Sequence, residues 1–139
     1  MIDFRWANLL HFFEPLVRVV VIGPHPVFPG SLSSGPAELC VPMWFRPQLS
    51  SACASSFVVP RQKAINRIEP LLKDLRAVAS SRSNLTLVEP FDLFCPAEVA
   101  QCRTRSGSKV LYTDNNHLSQ DGSARMFSPL RRALSATYP

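Results

Sequence analysis

A chain of 139 residues, 46% apolar and 9% aromatic, carries enough core-forming material for one domain, which excludes a disordered segment. Its formal charge of +5 comes from 15 basic and 10 acidic residues, and residues 60–139 hold twelve of the basic ones. These are spread without aromatic interleaving, a recognition helix or a zinc pattern, so no nucleic-acid partner is expected.

In chain order, residues 4–14 are predicted as a short amphipathic helix with Phe4, Leu9, Leu10 and Phe13 as its apolar positions, stopped by Pro15. His11 reads as a structural residue within it. This opening is broken by Glu14, Pro15 and Arg18 and does not read as a signal peptide, and no apolar run reaches the roughly 18 residues of a membrane span. "VRVVVIGP" follows as a buried strand over Val17–Ile22, apolar without alternation as in a parallel sheet covered on both faces, and Gly23-Pro24 closes it. Residues 23–59 form a long Pro-, Ser- and Gly-rich connection of the kind that borders active sites. From Pro60, residues 61–79 place Ala64, Ile65, Ile68, Leu71, Leu72, Leu75 and Val78 at helical spacing, with Pro70 expected to kink or divide the helix. "NLTLVEP" gives a strand over Leu85–Val88, "DLFCPAEV" a helical turn, and "KVLYTD" a short strand or extended approach to Asp114. The last helix is expected to start near Gly122, with Ala124, Phe127, Leu130 and Leu134 along one stripe and a bend at Pro129. Strand, helix and strand in this order predict an α/β fold built on a βαβ unit.

"LYTDNNHLSQDG" holds the chemistry. Acyl transfer or ester hydrolysis needs a base that is neutral near pH 7, which imidazole supplies, and a carboxylate on its other nitrogen fixes tautomer and orientation. Asp114 and His117 stand three residues apart on a polar loop between an extended segment and a helix, where ligand-facing groups of open α/β sheets collect. The plainer reading has Asp114 closing an Asx-turn in "TDNN" and His117 as a surface residue. His25, just past the first strand, either lines the presumed crevice or packs in its loop. No nucleophile is evident: "GSLSSG" at 30–35 fits no Gly-x-Ser-x-Gly frame, and Ser119 reads as a helix cap. No glycine-rich phosphate loop is present, and no cofactor or metal is expected.

Four cysteines, Cys40, Cys53, Cys95 and Cys102, allow three full pairings, and their spacing points to two local loops, 40–53 and 95–102. Free thiols and a metal site are the alternatives, the latter weakened because neither pair has the two-to-four-residue spacing of a structural zinc knuckle. Disulfides require an oxidising compartment.

"YTDNNHLSQDG", preceded by "FCPAEVAQCRTRSGSKV", resembles the closing region of SGNH-type hydrolase domains fused to bacterial membrane-bound acyltransferases that O-acetylate envelope polysaccharides, lipopolysaccharide among them. The resemblance runs from about residue 17 to 134: a strand ending in Gly-Pro, a helix beginning at Arg61, a cysteine pair Cys95 and Cys102, and Asp114, His117, Leu118, Ser119 and Gly122. It implies a three-layer α/β/α, flavodoxin-like parallel sheet, with His117 as base and Asp114 as its orienter in a Ser-His-Asp triad. It implies an acyl ester or carbohydrate substrate and a membrane-embedded acyltransferase partner domain, with the domain lying in the periplasm as part of a longer membrane protein. The family's nucleophile stands in a Gly-Asp-Ser context after a first strand, and no such motif occurs in this chain. The resemblance thus implies a C-terminal part of the domain, incomplete at its N-terminal side and inactive alone. The other reading is a non-catalytic carbohydrate-binding or accessory module.

Overall fold

The computed structural model describes residues 17–29 and 57–137. The helix expected over 4–14, His11, Cys40, Cys53, "GSLSSG" and most of the long connection lie outside the described residues. The described elements are β1 (Val19–Ile22), β2 (Val58–Pro60), α1 (Arg61–Ser80), β3 (Leu85–Val88), α2 (Phe91–Phe94), β4 (Gln101–Arg103), β5 (Arg105–Ser106), β6 (Lys109–Val110) and α3 (Gln120–Thr137).

β1 and β3 pair in parallel, Val19 opposite Leu85 and Ile22 opposite Val88, with α1 as part of the crossover between them. Among the described residues β1 has no strand on its other side. The pairing continues past the strand ends: the Val19 amide donates to the Asn84 carbonyl at 2.8 Å and the Gly23 amide to the Val88 carbonyl at 2.8 Å. Gly23 is needed for closeness, since a Cβ there would stand 3.3 Å from the Val88 carbonyl oxygen and 3.7 Å from Leu72 Cδ1. The β1–β3 pair is only part of the sheet structure. β2 and β4 pair antiparallel, as do β5 and β6, so the described strands form three two-stranded pieces of mixed topology, not one purely parallel sheet. "KVLYTD" accordingly joins a hairpin and does not extend the parallel pair.

α1 buries Ala64, Ile68 and Leu72, a stripe at helical spacing that packs with Val88 and Phe91 in the core. It has no side-chain N-cap. Instead the Arg61 amide donates to the Ala100 carbonyl at 3.0 Å, and at the other end the Ser80 and Ser81 hydroxyls each reach a last-turn carbonyl at 2.9 Å. Pro70 does not divide the helix. It lies on the exposed face, as does Asn66, the residue whose carbonyl would have met the missing donor.

α3 corrects the expected phase. Gly122, Met126 and Ala133 are buried with Leu130 packed behind them, whereas Phe127 is 66% and Leu134 52% exposed and Ala124 faces outward. Gly122 sets this phase, because a Cβ there would lie 2.1 Å from the Leu111 carbonyl oxygen, a backbone atom that cannot step aside. The helix begins at Gln120, two residues earlier than expected, and runs through Pro129 unbroken.

Candidate functional site

The segment from α2 to α3 is held by directional bonds. Cys95 and Cys102 form a disulfide, so the thiol and metal alternatives do not apply to this pair. That bond ties the end of α2 to β4, and β4 is paired with β2. The β5–β6 hairpin closes through Gly107 and Ser108; Gly107 has φ of 59°, and no other described residue has positive φ, which fits a turn that needs glycine at its first central position. The chain then returns to the core through Leu111 and Tyr112, both fully buried.

From there the loop is drawn tight. Tyr112 bridges to Leu118, and the Thr113 amide donates to the His117 carbonyl at 2.9 Å. The Ser119 amide donates back to the Leu111 carbonyl at 2.9 Å. The Ser119 hydroxyl donates to the Val110 carbonyl and accepts from the Gly122 amide at 3.1 Å, so it caps α3 while anchoring it to β6. The residue three positions beyond Asp114 is therefore turned back over it.

Asp114 closes an Asx-turn and also meets the imidazole. Its Oδ1 accepts from the amides of Asn116 at 2.8 Å and His117 at 2.7 Å, an Asx-turn, while Oδ2 lies 2.6 Å from His117 Nδ1. Partial burial works against the charged carboxylate, but the Asn116 amide, the imidazole and the His117 amide outweigh it, so Asp114 sits below the ordinary aspartate range. An ionised carboxylate only accepts, so His117 Nδ1 is the nitrogen that carries the proton in this contact, and in the neutral ring Nε2 then keeps its lone pair. The imidazole is 70% exposed against 21% for the carboxylate, so an exposed ring is held by a more sheltered acid. No serine hydroxyl among the described residues reaches that ring.

His25 is placed elsewhere. Its ring meets Tyr112 edge-on at 5.4 Å and Phe94 at a tilt at 5.8 Å, and its Nδ1 lies 3.3 Å from the Tyr112 hydroxyl and 3.1 Å from the Pro26 carbonyl. It packs under the loop and is not joined to the Asp114–His117 pair. The sequence reading missed Tyr112 as the centre of this aromatic cluster, which Phe28 completes at 4.9 Å. Burial pushes the Tyr112 phenol upward, against the pull of Arg125, so it stays protonated. The Phe28 amide donates to the Asn115 carbonyl at 2.8 Å, which stitches the segment after β1 to the Asp114 loop. A buried aromatic two residues before Asp114 was the available signal.

Neither the curated proteins nor the solved structures gave a match to the chain. Residues 8–132 match a family model described as an SGNH domain fused to AT3 domains, where AT3 denotes an acyltransferase module. A match over so much of the chain, together with the carboxylate–imidazole loop at its C-terminal side, makes this protein a member of the SGNH domains fused to AT3 acyltransferases.

Proposed function

We propose that His117 is the general base and Asp114 its orienter in an SGNH-type O-acyltransferase or esterase domain acting on cell-envelope carbohydrate. The observation that carries this reading is the 2.6 Å contact between Asp114 Oδ2 and His117 Nδ1 on an exposed loop, with the opposite ring nitrogen open. In this reading Nε2 takes the proton of a serine hydroxyl as it attacks an acyl carbonyl, and returns it to the leaving oxygen. The serine comes from outside these 139 residues, since the family's Gly-Asp-Ser context does not occur in them. The chain then represents a partial domain whose parallel sheet and three-layer arrangement are completed elsewhere. The membrane-embedded acyltransferase module is its partner, and the domain works on the outer side of that membrane, where the Cys95–Cys102 disulfide is stable.

The test is O-acetylation of envelope carbohydrate by the acyltransferase that carries this domain. His117→Ala is expected to lower it by about a thousandfold, the scale on which triad members act. Unchanged acetylation contradicts the role of His117. Acetyl-ester turnover by the chain alone that His117→Ala removes would keep the base but overturn the externally supplied serine.

A further inference from the structure

A cleft of about 370 Å³ has Phe94, Gln101, Arg103, Arg105, Leu111 and Arg125 among its lining residues. Its volume falls within the roughly 300–1,000 Å³ of small-ligand sites. None of the described residues lining it is acidic. Three guanidinium groups around one cavity repel one another unless an anion joins them. Arg61 and Arg76, by contrast, each meet a carboxylate: Arg61 reaches Asp92 at 2.7 Å and Arg76 reaches Glu89 at 2.7 Å. The cleft arginines bond only to neutral oxygens among the described residues. Arg125 donates to the Leu93 carbonyl at 2.8 Å, Arg105 to the Ser108 carbonyl at 3.4 Å, and Arg103 to the Gln101 amide oxygen at 3.4 Å. Among the described residues most of their donors have no partner.

The fold fixes this arrangement from three elements. Arg103 stands on β4, which the disulfide and the pairing with β2 hold. Arg105 begins the hairpin, and Arg125 projects from the first turns of α3, its position set by Gly122 against Leu111. Guanidinium forks match the oxygens of phosphate and carboxylate groups, and the apolar Phe94 and Leu111 wall suits the carbon face of a sugar ring.

We infer that the Arg103–Arg105–Arg125 cleft binds an anionic substituent, a phosphate or a carboxylate, of the carbohydrate acceptor. That the bearer is a carbohydrate rests on the function proposed above; that the cleft takes an oxyanion does not. Leu111 lines the cleft and its carbonyl accepts from the Ser119 amide at 2.9 Å, so the cleft and the loop that holds His117 share an anchoring residue.

The test is an amide NMR titration of the chain with inorganic phosphate, glucuronate and uncharged glucose. Saturable shifts centred on residues 101–106 are expected with at least one anion and not with glucose. The stronger of phosphate and glucuronate identifies the substituent. Arg103→Gln combined with Arg105→Gln, both at exposed or half-exposed positions, should weaken binding by about tenfold or more, the scale of one charged hydrogen bond, with an unchanged melting temperature. Arg125→Gln should do the same. His117→Ala should leave anion binding intact, which separates this inference from the acyl-transfer reading. Absence of saturable binding, equal binding of glucose, binding undiminished in the double variant, or loss of binding in His117→Ala would each overturn it.

Discussion

The β1–α1–β3 unit and the stretch from Phe91 to Ser119 are built on different physics. In the first, Ala64, Ile68, Leu72 and Val88 are buried against one another, and the fold follows from apolar area and a parallel ladder. In the second, strands of two or three residues cannot hold themselves, and a disulfide, a serine hydroxyl and one aspartate take over. Area tolerates small displacements. Directional bonds do not, and an imidazole with a working orientation needs the second kind of support.

This contrast predicts a descending series of effects. Leu72→Ala, which empties space beside Gly23 and α1, should lower global stability by about 3 kcal/mol in urea unfolding. Its amide spectrum at 112–118 should stay close to wild type; a collapse of the loop there would mean the two regions are one unit. Removing the Cys95–Cys102 bond by a double Cys→Ala change should cost about 2.5 kcal/mol, from the entropy of an open short loop, and should loosen β4 and the hairpin before the β1–β3 pair. Equal loss of hydrogen-exchange protection in both regions would break the comparison. Ser119→Ala should cost about 1 kcal/mol, the scale of a lost N-cap, yet shift the Leu111 and His117 amides more than Leu72→Ala does. No change at those amides would remove Ser119 from the clamp.

The same division explains what was legible in the sequence. Leu85–Val88 and the helix from Arg61 were readable to within a residue because continuous apolar runs and helical spacing report burial directly. Val19–Ile22 was readable as a strand, two residues shorter than expected, but not as a strand buried on both faces: Val19, Val20 and Val21 are half-buried and Ile22 is 52% exposed. β2, β4 and β5 were not, since two or three residues carry no period and their pairing depends on a covalent bond and a turn. The α3 face was misread because Phe127 and Leu134 outweigh a glycine in any apolar count, while the close approach of Gly122 to Leu111 actually sets the phase. Asp114 and His117 were legible as residue types at a chemical spacing. Their orientation was not, because it depends on Tyr112 and Ser119 being drawn back into the core. The cleft arginines were visible only as scattered charge; the disulfide and hairpin bring them together.

The claim that the rest depends on concerns one proton. A long-range nitrogen–proton NMR experiment on His117, recorded where the ring is neutral, reads which nitrogen carries it. The account predicts the proton on Nδ1, held by Asp114, with Nε2 bare, and a shift toward the Nε2-protonated form in Asp114→Asn. A wild-type ring already protonated on Nε2, and unaltered by Asp114→Asn, would contradict it.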